Sequence, residues 1–175
     1  MIDPPAASEY APFFADYVAR VPEPDALPAL ENQPPEVARF FGLVERERET
    51  FRYAPDKWSI REIAGHLVDA ERLFGFRLFC FARGDQNPLP AFDENEYVAR
   101  SSYADIPLGE LVLEWALVRE ANLVVIRRLD RTALLRIGTA SSARTSVRAL
   151  ARMMVGHVRH HFAVLSERYG VGPKP

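Results

Sequence analysis

The stretch MMVGHVRHHFAVL, residues 153–165, places three histidines within five positions of an apolar run. The chain has 4 histidines in all, so only His66 lies elsewhere. Burying an imidazole among apolar side chains costs free energy unless its nitrogens find partners. The histidines of this run therefore need a chemical explanation.

The three histidines divide between two faces of the predicted helix. At about 100° per residue, His157 and His161 fall in the middle of the apolar stripe, one turn apart. His160 falls at the edge of the stripe, where we expect it to reach solvent or a group next to a metal ligand. His66 lies on the shoulder of another apolar stripe, about two turns after the predicted helix start at Ser59.

The histidine-rich run belongs to one of four long amphipathic segments in the chain, which shows no convincing strand pattern and no internal repeat. This organisation predicts an all-α protein, an antiparallel four-helix bundle with a short extra N-terminal helix. Start and stop residues place the four helices at about 34–53, 59–84, 107–129 and 146–170. The expected single domain has an N-terminal extension over residues 1–35, which packs on the bundle over residues 36–170.

Two connections affect this prediction. Residues 84–106 form a long connection, which is either a functional lid or a loop that spans the end of the bundle. The same segment is long enough to be a crossover, which leaves the up-down order of the helices open. Residues 136–146 are rich in turn-forming residues and are predicted as a connector.

The composition is that of a soluble globular protein of 175 residues, with 48% hydrophobic residues and a net charge of -2. This charge gives no global field for nucleic acid or an anionic membrane, and no apolar stretch is long enough to span a membrane. The N-terminus does not resemble a signal peptide. The single cysteine, Cys80, cannot form an internal disulfide and is predicted to be a buried thiol, so we expect a cytoplasmic protein.

Imidazoles that converge in a bundle core suit a divalent transition metal, zinc or nickel. Three protein ligands leave at least one coordination position open, which is typical of a catalytic site. The alternative from the residues alone is a set of exposed or capped histidines. The run HVRHH is not a zinc-protease motif, because Val158 stands where H-E-x-x-H has its general base.

Three blocks of sequence resemble the DinB-like superfamily of metal-binding four-helix bundles over roughly residues 36–170. The blocks are KWSIREIAGHLVDAERLFGFRLFCFARGD, LPAFDENEYV and SVRALARMMVGHVRHHFAVLSERY, and they occur in the family's order. The resemblance implies a metal site formed by His66 of the GHL block and by His157 and His161 of the G-H-x-x-x-H block. It implies no ligand role for His160.

The resemblance implies less about the reaction. Family members are described as metal-dependent hydrolases, or as thiol-dependent transferases or isomerases that use bacillithiol, mycothiol or glutathione. Many are linked to stress, and homodimers are common. We therefore expect a homodimer with an open three-histidine site that activates water against a small-molecule substrate. The alternatives are a thiol S-transferase or isomerase with a low-molecular-weight thiol, a non-enzymatic metal- or ligand-binding module linked to stress, and a helical interaction protein without a metal.

Hydrolysis also needs a group that moves protons. The candidates are Asp69, Glu71 and His160, and Asp69 lies one turn after His66, where it could also orient that ring. The alternative is that Asp69 and Glu71 lie on a solvent-exposed face of their helix and take no part in a reaction. The candidates for binding an acidic substrate at the pocket mouth are Arg72, Arg77 and Arg159. The alternative is that these arginines are surface charges whose aliphatic stems cover apolar neighbours.

Overall fold

The computed structural model describes residues 1–172, which contain seven α-helices and one two-stranded sheet. Within this range no helix is both long and apolar enough to cross a membrane. The elements are α1 (Ala15–Ala19), α2 (Leu27–Phe41), α3 (Ile60–Ala82), α4 (Glu94–Arg100), α5 (Leu108–Ile126), α6 (Arg131–Leu134), β1 (Ile137–Ala140), β2 (Ala143–Ser146) and α7 (Val147–Tyr169).

The four long helices α2, α3, α5 and α7 form a bundle, which confirms the predicted all-α four-helix class. At one end an apolar cluster joins the first halves of α3 and α5 to the second halves of α2 and α7. Helices α3 and α5 therefore run parallel to each other and antiparallel to α2 and α7. The connection over residues 83–107 is the crossover that its length allowed, and it carries α4.

The limits of α3 and α7 agree with the sequence signals. The Ser59 amide donates to Glu62 Oε2 at 2.6 Å and the Glu62 amide donates to Ser59 Oγ at 3.3 Å, which is the predicted capping box. The Ser146 hydroxyl accepts from the amide of Ala149 and caps α7. Gly170, at φ 64°, ends α7 in the left-handed conformation that favours glycine.

Helix α2 differs from the prediction, which began this helix at Pro34 and continued it to about residue 53. The helix runs from Leu27 to Phe41, so residues 27–35, assigned to the extension, belong to the first bundle helix. A proline inside a helix leaves the carbonyl four residues earlier without its usual donor. Here Arg119 Nη1 donates to the Leu30 carbonyl at 3.3 Å and replaces the donor that Pro34 lacks.

Residues 137–146 also differ from the prediction, because they form an antiparallel hairpin rather than an irregular connector. The two loop residues Ser141 and Ser142 have φ values of 50° and 60°. Positive φ at both loop positions is typical of the tightest hairpin turns, which usually carry Asn-Gly or Asp-Gly. The hairpin packs on α3 through Gly138, where an added Cβ would lie 2.0 Å from the ring of Phe81.

A buried polar layer crosses the bundle between its two apolar clusters. Arg119 is 0% exposed and donates to both carboxylate oxygens of Glu71, each at 2.8 Å. It also donates to Gln33 Oε1 at 2.6 Å and to the carbonyl of Met154 at 3.3 Å. The layer therefore ties all four bundle helices together one turn before the first histidine of α7.

Candidate metal centre

Two helices bring three imidazoles together in the interior of the bundle. His66 lies on α3, and His157 and His161 lie one turn apart on α7, so their side chains leave α7 in the same direction. His157 Nε2 lies 3.1 Å from His66 Nε2 and 3.1 Å from His161 Nε2. The ligand nitrogens of all three rings lie within 4.8 Å of one another, and all three residues are buried.

The spacing of these nitrogens fits one transition-metal ion. Two nitrogens bound to an ion at about 2.1 Å lie about 3.0 Å apart at a right angle and about 3.4 Å apart at the tetrahedral angle. The two measured separations of 3.1 Å fall inside this range. Hydrogen bonds fit less well, because the single Nε2 of His157 would serve two neighbours and a neutral ring offers only one N–H.

The imidazoles are held in the neutral form that binds metals. Burial lowers the pKa of His66 to about 4. Burial, joined by the charges of neighbouring histidines, lowers the pKa of His157 and of His161 well below the usual range. Deprotonation of the ligands is a precondition for metal binding, and here it holds at neutral pH.

The rings are fixed by packing rather than by polar partners. The ring of His157 makes edge contacts with Tyr17 at 5.3 Å and Phe74 at 5.7 Å, and the ring of His66 lies 4.9 Å from Trp58. Among residues 1–172, no acceptor is bonded to Nδ1 of His66 or of His161, although both atoms are buried. This environment strengthens any charge interaction at the Nε2 atoms.

A cavity of about 400 Å³ gives access to the cluster, and His66 and His157 lie in its wall. Apolar and aromatic side chains form most of the wall, with a few polar groups among them, as in sites for small molecules. His161 instead lines a separate cavity of about 230 Å³ together with Trp58 and Asn95. The polar residues in the wall of the larger cavity include Tyr17, Arg77, Glu94 and Ser141.

The other sequence candidates for proton transfer do not belong to the cluster of three imidazoles, although the ring of His160 lies 5.1 Å from that of His161. Asp69 accepts a hydrogen bond from the hydroxyl of Tyr103 at 2.6 Å, and does not orient His66. Glu71 is neither solvated nor in the cavity, because it belongs to the buried pair with Arg119. His160 is half-buried and packs its ring against Tyr17 at 5.2 Å.

The three candidate arginines have different surroundings. Arg72 forms an exposed ion pair with Glu114 at 2.8 Å, and Arg159 donates twice to the carboxylate of Glu23. Arg77 is 5% exposed and lines the cavity with His66 and His157, so it is not a surface charge.

The N-terminal extension closes the cavity from one side. Phe13, Phe14 and Tyr17 line the cavity, and α1 lies so close to α7 that a Cβ added to Gly156 would lie 1.8 Å from the Tyr17 carbonyl oxygen. The sequence did not predict that the N-terminal extension lines a cavity, and it did not single out Glu94 as a cavity residue. The aromatic cluster FFADY and the acidic block DENE were the available signals, but neither contains a motif for a site.

Comparison with known proteins agrees with this architecture. The family model of the DinB superfamily matches residues 29–165. No curated protein matches the chain in sequence. One solved structure with a similar fold is YfiT from Bacillus subtilis, described as "a probable metal-dependent hydrolase with an unusual four-helix bundle topology". It is 16% identical, with a TM-score of 0.71, and the match covers 83% of this chain and 86% of that one.

Proposed function

This chain belongs to the DinB superfamily, and we propose that it is a metal-dependent hydrolase of a small molecule, with zinc or nickel held by His66, His157 and His161. The observation that carries the proposal is the convergence of three buried, neutral imidazoles beside a cavity of substrate size. The description of YfiT as a hydrolase supports the same reaction class. A divalent cation held there supplies Lewis acidity and makes water a usable nucleophile near neutral pH.

Other residues of the chain exclude water from the cavity and accept a proton in the proposed reaction. The apolar wall excludes bulk water, which strengthens electrostatic interactions inside the cavity. Tyr17 and Glu94 line the same cavity, where burial raises the pKa of Tyr17 and the charge of Glu94 adds to this effect. By contrast, Asp69 and Glu71 are bonded elsewhere. We therefore assign to Glu94 the role of accepting a proton from the attacking nucleophile.

A thiol transferase would use the same three imidazoles. Cys80, the only cysteine of the chain, belongs to the apolar core cluster and does not line the cavity. Any reacting thiol would therefore come from a separate molecule, such as a low-molecular-weight thiol. Hydrolysis needs no such second ligand, and it is the activity that we place first.

The first test is the metal content of the purified protein. We expect one zinc or nickel ion per chain after dialysis, measured by elemental analysis, and less than a tenth of that in H157A, because two imidazoles bind much more weakly than three. H160A is the matched control, since His160 is on the same helix but outside the cluster. A parent that stays metal-free when zinc or nickel is supplied contradicts the proposed site.

The second test separates an enzyme from a binding module. The metal-loaded protein is assayed against panels of esters and amides, and against electrophiles with bacillithiol, mycothiol or glutathione. We expect hydrolysis that is lost in H157A and reduced at least tenfold in E94Q, with normal metal content in E94Q. Activity only with a thiol identifies a transferase. A metal-loaded parent inactive in both panels, whose apo form unfolds, has a structural metal.

We further propose that the chain forms a homodimer through an exposed apolar face on α3 and α5. This face consists of Phe76, Phe79, Leu113 and Leu117, which are all exposed. We propose that these four side chains form one patch, since an apolar patch on a globular protein is a common mark of an association site.

A further inference from the structure

Arg77 is a buried arginine in the wall of the cavity without a carboxylate partner. Its Nη2 donates to the carbonyl of Pro90 and to Ser141 Oγ, each at 2.9 Å. Among residues 1–172, Nε is buried without an acceptor, Nη1 makes no hydrogen bond, and no acidic side chain pairs with the guanidinium. Burial lowers the pKa of Arg77, with no acidic group to oppose this effect.

The other two buried arginines of the bundle meet more acceptors than Arg77 does, although Nε of Arg152 is also buried without one among the described residues. Arg119 has both oxygens of Glu71 and the amide oxygen of Gln33. Arg152 donates to four backbone carbonyls of the N-terminal extension. Like Arg152, Arg77 forms no ion pair in the part of the chain that the structure describes, but only two acceptors meet its guanidinium and it alone of the two lines the cavity. An uncompensated buried cation is costly, so an anion in the cavity would stabilise Arg77.

The position of Arg77 relates it to the histidines. It follows His66 by eleven residues on α3, which is three turns and about 16 Å along the helix axis. Ala70, Leu73 and Phe74 lie between them and line the same cavity. The cavity therefore runs along one face of α3, with two imidazoles towards one end, a guanidinium towards the other, and apolar side chains between.

We propose that Arg77 binds the carboxylate of an elongated substrate, whose apolar body lies between the aromatic walls and whose reacting bond lies beside His66 and His157. This inference rests on the proposed function, because the histidines define the reacting end. A planar guanidinium with unused donors suits a carboxylate better than a neutral amide.

The N-terminal extension makes this selectivity a property of this chain. Phe13 and Phe14 cover the apolar part of the cavity, and both precede residues 29–165, the segment matched by the family model. Phe92 and Phe74 complete the aromatic wall from the crossover and from α3. The substrate class is therefore an acidic molecule with an aromatic or aliphatic body, rather than a free inorganic anion or a sugar.

The experiment uses 4-phenylbutanoate as the acidic probe and 4-phenylbutanamide as its neutral isostere. Isothermal titration calorimetry measures both affinities in the zinc-loaded parent and in R77Q, R72Q and H157A. We expect the parent to bind the carboxylate at least tenfold more tightly than the amide. This preference disappears in R77Q and persists in R72Q, the matched control on the same helix with an exposed partner.

The H157A variant separates this inference from the proposed function. If the carboxylate preference persists in H157A and disappears in R77Q, Arg77 is the anion site whether or not a metal is bound. Loss of the preference in H157A but not in R77Q shows that the carboxylate binds the metal, which overturns this inference and leaves the proposed hydrolase standing. Equal affinities of the parent for acid and amide also overturn it, even if R77Q fails to fold.

Discussion

At the scale of single residues, the three histidines of the cluster differ in how far the sequence could locate them. His157 and His161 are four positions apart in an apolar stripe, and helical geometry alone brings them to one face. His66 is 91 residues from His157 along the chain, and its helical periodicity gives no partner. The resemblance to the DinB-like superfamily named it as a ligand, and the structure brings its Nε2 within 3.1 Å of His157.

The partners of charged residues were not predictable, because they come from distant segments. Asp69 bonds to Tyr103 in the crossover, 34 residues later, rather than to the histidine one turn before it. Glu71 meets Arg119 on a helix whose parallel direction the sequence left open. A helical wheel gives the direction in which a carboxylate leaves its own helix, but it gives no information on which cation it meets.

The buried Glu71–Arg119 pair gives a prediction about stability. In E71A the guanidinium of Arg119, which is 0% exposed, keeps its charge without its carboxylate. We expect the free energy of unfolding, from urea titration, to fall by about 3–5 kcal/mol. E114Q is the control, because it removes an exposed ion pair and should cost less than about 1 kcal/mol. Equal losses in the two variants would show that the buried pair contributes no more than a surface pair.

At the scale of elements, the sequence located helices well where local signals define their ends. The capping box of α3 and the terminal glycine of α7 are local interactions, and both are present. The start of α2 was placed too late because two prolines are read as a first turn. Arg119 supplies from another helix the donor that Pro34 lacks, and the local sequence gives no sign of this contact.

The contact between α1 and α7 gives a prediction at this scale. In G156A the new Cβ would meet the Tyr17 carbonyl, so α1 has to move away from α7. We expect a loss of about 1–3 kcal/mol by thermal unfolding, as for other overpacked cores, and faster proteolysis within residues 1–26. The control is G109A on α5, where the new Cβ has no neighbour within 4 Å and stability should be unchanged or slightly higher. Proteolysis as slow as in the parent would show that the extension does not depend on this contact.

At the scale of the whole molecule, hydrophobic periodicity predicted the class of fold, but it did not predict the relative directions of the helices. Four amphipathic segments predict four packed helices whatever their order. The parallel direction of α3 and α5 follows from the crossover, whose length allowed it without requiring it. The same crossover brings Phe92 and Glu94 to the cavity, and the extension brings Phe13 and Tyr17. The cavity walls are therefore long-range products of topology, which explains why the sequence predicted a cluster of histidines but not the cavity around it.

The parallel arrangement of α3 and α5 also gives the last prediction, that two copies associate through these helices. The exposed ion pair between Arg72 and Glu114 lies on the outer side of these helices, and one turn further along each helix Phe76 and Leu117 are 54% and 63% exposed. A two-fold axis through this side would bury the same apolar residues from both copies. We expect the parent to have twice the mass of the chain in light scattering after gel filtration.

The variant L117E places a charge in the centre of this proposed interface, and we expect it to be monomeric at micromolar concentration with unchanged helical content. L43E is the matched control, because Leu43 is 55% exposed but follows α2, outside the face. A monomeric parent, or a dimer that survives in L117E, contradicts this interface. Since the imidazoles and Arg77 are all buried within one copy, the monomeric variant should keep its metal, and any loss of activity would then report on the cavity walls rather than on the ligands.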